Sequence, residues 1–387
     1  SRFGADKRWA VFWSAGVGYN LHNEVFLKKL EWVSLLRLRA SYGVTGGQNF
    51  NPYQAMTTYR FITDKWYGYG SGAEMLALGN DDLKWQSTVQ KNFGLDLGMW
   101  KDRLTLTFNY YHKLSENSLT DVTLPPSLGF PSYKENLGEV VNEGWEFTLR
   151  GFVVKKEDFN IMLSVNGAQN NNKLKKISNS LKAFNEEQDK QVENKVMARY
   201  VEGQSLNTIW VVRSLGIDPA NGKELFLDKN GKRTYDWNAD DYVAEATTDP
   251  RLYGNLGLGI FYRGFSLNTY VNYSLGEKAY NQTLVDRVEN ADKHYNCDRR
   301  VLYDRWHKPG DETFFKDVKD ASVTRPTSRF VQKNNYLNMT SLNVAYEFNP
   351  RLLEPLRIKY LKLAFYMTDL FRISTMKAER GLDYPFA

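Results

Sequence analysis

The chain offers few arrangements of side chains that could carry out catalysis or bind a transition metal. Its four histidines do not form an H-E-x-x-H or H-x₃-H pattern. The single cysteine, Cys297, excludes a disulfide within the chain and a cysteine-rich metal site. A G-x-S-x-G elbow, a P-loop and a dinucleotide-binding fingerprint are also absent from the sequence. We therefore expect a protein that is not an enzyme and has no resident cofactor.

A run of oxygen-bearing side chains between residues 218 and 241 is the feature closest to a metal site. Its members are Asp218, Asp228, Asn230, Asp236, Asp240 and Asp241. Such oxygens suit Ca²⁺, but the spacing does not match D-x-[DN]-x-[DN]-G-x₅-E, and Asn230-Gly231 is typical of a turn. Calcium in a loop stays open as a minor alternative to ordinary solvated turns.

Aromatic side chains cluster in a long polar stretch around KWYGYGSG (65–72). Flat rings with polar edges can stack on sugar rings or hold a peptide backbone. The candidate ligand-binding residues are Tyr53, Tyr59, Trp66, Tyr67 and Tyr69, together with Trp210 further along the chain. Packing between loops, or a girdle of aromatics at a membrane surface, would explain the same residues without a ligand.

Arginines alternate with apolar residues in LRLRASYGVTGGQN (36–49). Because successive side chains of a strand point to opposite faces, Arg37 and Arg39 share one face. Glu146 and Arg150 alternate with apolar residues in the same way. We expect all four side chains to face a watery interior, where the arginines pair with carboxylates of neighbouring strands such as Asp96 or contact a ligand or a plug.

The elements that would position these residues are strands of about 8–11 residues with alternating polarity. The clearest segments are 9–19, 36–43, 104–111, 145–150, 265–275, 342–348 and 360–367, with weaker ones at 86–98, 159–170 and 255–263. EVFLKKLEWVS (24–34) is the best candidate for a helix, and 208–227 reads as an extra hairpin that turns at Asn221-Gly222.

Short and long connections alternate between these strands, and the long ones cover 46–84, 115–143, 171–254, 276–335 and 368–387. Loops of that length are unusual in a compact soluble domain. An antiparallel transmembrane β-barrel with short turns at one rim and long loops at the other produces this alternation. A large soluble β-sandwich shows the same strand periodicity and is the competing fold.

The composition agrees with a barrel and argues against other classes. The 387 residues contain 14% aromatics, which favours strands. No apolar run approaches the roughly 18 residues of a membrane-spanning helix. The formal net charge of +6 is spread along the chain rather than clustered, so a nucleic-acid partner is not expected.

Eight short motifs resemble, in the same order, the C-terminal part of SusC/RagA-type TonB-linked outer-membrane transporters. They are SRFG…RWAVFWSAGVGY (1–19), LRLRASYGVTGGQ (36–48), NDDLKWQSTVQKNFGLD (80–96), RLTLTFNYYHK (103–113), NLGEVVNEGWEF (136–147), GIDPANGKELFLD (216–228), YLNMTSLNVAYEF (336–348) and FYMTDLF (365–371). Two details depart from the family pattern, Gln48 after the paired glycines and Asp369 before Leu370-Phe371.

This resemblance implies part of a 22-stranded barrel in the bacterial outer membrane, with short periplasmic turns and long extracellular loops. It implies TonB-driven import of oligosaccharides beneath a SusD-like surface lipoprotein, with oligopeptides as the alternative cargo. Residues 1–387 would form the C-terminal half of the barrel, and the plug domain, the first barrel half and the last strand would lie outside this chain. A secreted or surface-bound carbohydrate-active β-sandwich is the alternative from another class.

Overall fold

The structure is a computed structural model, and it describes most of the chain. The described residues are 11–47, 56–68, 70–79, 86–117, 119–123, 132–136, 138–190, 194–292 and 294–376. Predicted features at other positions, including Tyr53 and Tyr69, lie outside the described residues.

Strands dominate the described part of the chain. In chain order they are β1 (Trp13–Asn20), β2 (Val33–Gly47), β3 (Thr58–Tyr67), β4 (Gly70–Ala77), β5 (Gln86–Met99), β6 (Leu104–Glu116), β7 (Leu119–Thr123), β8 (Ser132–Asn136), β9 (Gly138–Lys155), β10 (Phe159–Ile177), β11 (Thr208–Ile217), β12 (Glu224–Leu227), β13 (Arg233–Thr234), β14 (Tyr242–Thr247), β15 (Leu252–Tyr262), β16 (Phe265–Leu275), β17 (Lys278–Tyr280), β18 (Val331–Lys333), β19 (Tyr336–Glu347) and β20 (Lys362–Ser374).

The helices are few and short. They are α1 (Asn179–Lys190), α2 (Gln282–Leu284) and α3 (Pro350–Leu353), with further single turns of 3₁₀ or π geometry. None of the helices in the described ranges is long and apolar enough to cross a membrane.

Ten strands form one antiparallel sheet, which we call the wall, in the order β1-β2-β5-β6-β9-β10-β15-β16-β19-β20. Each alternating segment predicted from the sequence overlaps one of these strands, including the three weaker ones, although residues 9 and 10 lie outside the described residues. The predicted connection at 368–387 is wrong in its first part, because β20 continues to Ser374. The strands extend beyond the alternating segments, to 19 residues in β10. The prediction of a large antiparallel sheet is confirmed.

Short and long connections fall at opposite ends of the wall because consecutive wall strands are antiparallel neighbours. The short end carries the links at 100–103, 156–158 and 263–264. The predicted helix at 24–34 is wrong: the chain there forms hydrogen-bonded turns until β2 begins at Val33. Strand β2 starts within the segment, so too few residues remain between the strands for a stable helix.

At the long-loop end, β13, β12, β11 and β14 form a four-stranded sheet that packs on residues 278–333. We call these two parts together the loop module. A bridge joins Val212 to Thr327, and the backbone N–H of Ser214 donates to Ser328 Oγ over 2.9 Å. The predicted hairpin at 208–227 is confirmed as β11 and β12, with Asn221 and Gly222 in its turn.

Candidate functional site

A row of polar side chains crosses the whole wall on one face. Residues directly opposite each other on paired strands point to the same side of a sheet. Following the pairing from strand to strand gives Asn20, Arg37, Asp96, Thr107, Thr148, Asn166, Asn255, Asn272, Asn338 and Arg372. We call this side of the wall the polar face.

The adjacent row points to the other side and is entirely apolar. It runs through Leu36, Leu97, Leu106, Leu149, Val165, Leu256, Val271, Met339 and Phe371. Polar and apolar side chains alternate at these two rows in nine neighbouring strands, so the sheet has one polar face and one apolar face. The wall therefore has the polarity of a membrane barrel wall.

Side chains of the polar face bind one another across strands near Arg39. The Arg39 guanidinium donates to both Asp96 oxygens, from Nε to Oδ2 over 2.8 Å and from Nη2 to Oδ1 over 3.0 Å. Nη2 also donates to Asn109 Oδ1 over 3.0 Å, and Asn109 Nδ2 donates to Glu146 Oε1 over 3.2 Å. The network therefore crosses four strands, and the predicted pairing with Asp96 is confirmed for Arg39.

Amide side chains continue this hydrogen bonding along the polar face. Asn166 Nδ2 donates to Asn255 Oδ1 over 2.5 Å. Nearer the long-loop end, Asn170 and Asn172 both donate to Asn142 Oδ1, over 3.2 and 2.9 Å. These uncharged groups both donate and accept hydrogen bonds, as hydroxyl- or amide-bearing ligands require.

The four side chains expected in a watery interior all lie on the polar face. Arg37 stands opposite Asp96, and Glu146 stands opposite Asn109. Arg150 is opposite Thr105 and Ser164, in another row of the same face. The structure thus brings the four residues to one side of the sheet, and their exposure to a lumen stays a prediction.

A groove of about 500 Å³ lies on the polar face in the described part of the wall. Its lining includes Asn109, Glu146, Asn255, Tyr253 and Tyr336. Amides, one carboxylate and three phenol rings, the third from Tyr273, suit a neutral, hydroxyl-rich or amide-rich ligand better than a strongly charged one. Sequence analysis identified Glu146 but missed the tyrosines, because alternation alone does not show which rows form a concavity.

The aromatic residues predicted to bind ligand lie in different elements. Tyr59 is on β3 and 61% exposed. Trp66 and Tyr67 end the same strand. Trp210 is in β11, only 8% exposed, with the Arg199 guanidinium 5.8 Å from its ring centre. Tyr59, Trp66 and Tyr67 thus belong to one strand, whereas Trp210 lies in the core of the loop module, and a ligand at any of them stays a prediction.

The loop module contains a buried ionic cluster that sequence analysis missed. Arg329 Nη2 lies 2.7 Å from Glu224 Oε2 and 2.6 Å from Glu289 Oε1, and the three side chains are at most 8% exposed. Burial opposes the charge on Arg329, but the two carboxylates outweigh it and raise the guanidinium pKa. No sequence signal links these residues, because they come from segments 40 to 105 residues apart.

The aspartates of the proposed calcium run act as turn caps. Asp228 Oδ1 accepts from the N–H groups of Asn230 and Lys232, both over 2.8 Å, and these bonds hold the pKa of Asp228 below its usual range. Asp241 Oδ1 accepts from the N–H of Lys229 over 2.9 Å. No group of three or more metal-binding side chains occurs among the described residues, and calcium here stays a minor prediction.

Comparisons with known proteins match one family. The family model described as "TonB dependent receptor-like, beta-barrel" covers residues 1–292. TonB-dependent receptor P39 of Formosa agariphila is 25% identical over 411 residues, which cover 92% of this chain and 38% of that protein. TonB-dependent receptor SusC of Bacteroides thetaiotaomicron is 30% identical over 307 residues, covering 72% of this chain and 30% of SusC.

The fold is similar to solved transporter structures. The RagAB peptide importer in its closed-closed state matches with a TM-score of 0.80 and 24% identity, over 99% of this chain and 42% of that one. The chain thus spans about two fifths of the length of such relatives or less. This match and the continuous ten-stranded sheet contradict the β-sandwich alternative, whose strands would divide into two packed sheets.

Proposed function

Because the chain belongs to the TonB-dependent receptor-like β-barrel family and is a SusC/RagA-type outer-membrane protein, we propose that it forms part of the wall of a nutrient importer. The family consists of receptors and transporters rather than enzymes. The observation that carries the proposal is the structural match to an importer over 99% of the chain. Within that barrel, residues 1–387 contribute ten neighbouring strands of the C-terminal half.

The two faces of the wall fit this role. The apolar face contacts lipid, and the polar face lines the interior, where Arg37, Arg39, Glu146 and Arg150 meet water, cargo or a plug. The energy comes from the TonB complex, which acts through parts of the transporter outside this chain. The loop module lies at the extracellular end, where a SusD-like lipoprotein would cover the barrel.

We assign oligosaccharides as the cargo class. The support is the groove on the polar face, where amides surround Tyr253 and Tyr336. Phenol rings stack on the apolar faces of sugars while amides bind hydroxyl groups. Oligopeptides are the second candidate, and the observation favouring them is that RagAB, which shares the fold, is a peptide importer.

Binding to the whole transporter, purified in detergent with its surface lipoprotein, separates the two cargo classes. Native mass spectrometry with matched pools of oligosaccharides and oligopeptides should show retained oligosaccharide. Tyr253→Ala should weaken that binding about 2- to 10-fold, the range expected for one lost aromatic contact. Tyr270→Ala is the matched control, because Tyr270 lies on the same face with similar exposure but outside the groove.

Retention of peptides alone would overturn the oligosaccharide assignment and support the second candidate. Equal effects of the two tyrosine substitutions would show that the groove is not the cargo-binding site. A parent protein that is monodisperse in water without detergent would contradict the importer itself.

A further inference from the structure

A second groove, of about 1150 Å³, lies on the apolar face at the short-turn end of the wall. Leu149 and Val165 of the apolar row line it, as do Leu104 and Leu163. Gly151 lies between the last two in the strand pairing, and its lack of a side chain leaves room for the Leu104 side chain, whose Cδ1 would lie 3.1 Å from a Cβ at this position. The groove therefore faces the hydrocarbon rather than the interior.

Its charged lining is mainly cationic. Lys101, Arg103 and Lys155 line the groove, against one carboxylate, Glu31. In the part of the chain that the structure describes, none of these three cations forms an ion pair within 4 Å. Lys155 Nζ lies 5.0 Å from the centre of the Phe152 ring, a contact that leaves its charge without a carboxylate partner. Cations without a carboxylate partner beside apolar surface favour an anionic group that carries hydrocarbon.

The turn that presents these residues has an unfavourable backbone. Trp100, Lys101 and Asp102 all have positive φ angles, of 53°, 57° and 60°. A left-handed conformation is unfavourable for a residue other than glycine, because it brings the Cβ close to the following carbonyl oxygen. The comparable turn at Arg263-Gly264 uses glycine at one of its two left-handed positions.

Neighbouring groups hold the strained turn in place. Trp100 N–H donates to the carbonyl of Trp32 over 2.8 Å, and the Ser34 hydroxyl donates to Asp102 Oδ1 over 2.7 Å. The Trp32 and Trp100 rings lie 6.5 Å apart and both line the groove. The strain thus serves to present an indole and a cation at the groove, as strained residues do at binding sites.

We propose that this groove binds an anionic phospholipid of the periplasmic leaflet. Short turns lie on the periplasmic side of such barrels. An acyl chain lies along Leu104, Leu149 and Leu163, and the phosphate contacts Lys101, Arg103 and Lys155. The proposal rests on membrane insertion but not on the cargo, so it can fail while the proposed import stands.

The test uses the whole transporter, delipidated in detergent and titrated in native mass spectrometry without cargo. Phosphatidylglycerol should bind about tenfold or more tightly than phosphatidylcholine with the same chains, since each nearby Lys or Arg adds appreciable attraction for anionic lipid. The triple variant Lys101→Gln, Arg103→Gln, Lys155→Gln should reduce this preference to less than about twofold.

A matched triple variant controls for the lost charge. Arg351→Gln, Lys359→Gln and Lys362→Gln remove three cations at the same end of the wall, two in the connection between β19 and β20 and one at the start of β20, and should preserve the preference. Gly151→Leu fills the groove without changing charge and should weaken both lipids. The proposal would be overturned if the Gly151→Leu variant still bound both lipids, or if the two triple variants had equal effects. Displacement of phosphatidylglycerol by equimolar lipid A would also overturn it.

Discussion

The wall and the loop module differ in where they place their apolar side chains. In the wall, apolar residues such as Leu163 and Leu256 remain 46% and 42% exposed on the apolar face. In the loop module, Leu284 and Phe330 are completely buried, as in a water-soluble protein. One chain therefore contains a sheet whose apolar side chains are to be covered by lipid, and a module whose apolar side chains are covered by the protein itself.

Polar groups show the reverse arrangement. The wall keeps the Arg39–Asp96 pair partly exposed on its polar face, whereas the module buries Arg329 between Glu224 and Glu289. A buried charge must be fully paired, while a water-facing charge is solvated in any case. Equivalent substitutions should therefore have different effects in the two regions.

The largest effect is expected from Arg329→Met. It removes the guanidinium that pairs with the buried Glu224 and Glu289 carboxylates, and breaking a buried ion pair typically costs about 3–5 kcal/mol. Hydrogen exchange should show the module opening while the wall strands stay protected. Arg213→Met is the control, because its pair with Glu245 is exposed and contributes at most about 1 kcal/mol. Equal loss of protection in both variants would contradict the assigned role of Arg329.

The same truncation in both regions should give the next largest difference. Leu284→Ala leaves a cavity in the module and should lower the free energy of unfolding by about 2–5 kcal/mol. Leu256→Ala should change it by about 0.5 kcal/mol, as at exposed positions, because lipid chains fill the space. Urea unfolding of the transporter in vesicles measures the change in unfolding free energy of the wall for Leu256→Ala. Hydrogen exchange at module residues measures the change for Leu284→Ala. Equal costs would mean that Leu256 packs against protein rather than lipid.

A smaller effect is expected on the polar face. Arg39→Ala removes the two hydrogen bonds to Asp96 and should destabilise the wall by about 1 kcal/mol, since the pair is partly solvated. Arg39→Lys keeps the charge but not the paired geometry, so it should recover only part of the loss. Full recovery by lysine, measured by urea unfolding, would show that charge alone matters.

The smallest effect concerns acid stability of the loop module. Hydrogen bonding from Arg300 lowers the pKa of Asp298 to about 2, below the roughly 3.9 of an unfolded aspartate. A carboxyl with a lowered pKa stabilises the fold above the unfolded value and loses that contribution as pH falls toward 2. Tryptophan fluorescence of the module should follow this loss, and Asp298→Asn should flatten the profile. An unchanged profile in that variant would assign the acid response to other groups.

The wall could be predicted from sequence, whereas the module largely could not. Alternation in segments such as 36–43 and 265–275 depends on neighbouring residues only, so the wall strands could be identified from it. The same alternation predicted that Arg37 and Arg39 lie on one face of the sheet. The Arg329 cluster depends on contacts between distant segments, which no local pattern reports. Trp210 lies in the apolar run 209–212, and its burial in β11 agrees with that local pattern, but what covers it comes from distant segments such as the one around Thr327.

In the membrane, the apolar face of the wall should contact lipid while the polar face contacts water. Spin labels on single cysteines in a cysteine-free transporter, with Cys297 replaced by serine, test it in vesicles. Labels at Leu163, Val165 and Leu256 should collide with oxygen and be shielded from a water-soluble nickel chelate, and labels at Ser164, Asn166 and Asn255 should show the reverse. Equal access of the nickel chelate to both sets would contradict the account.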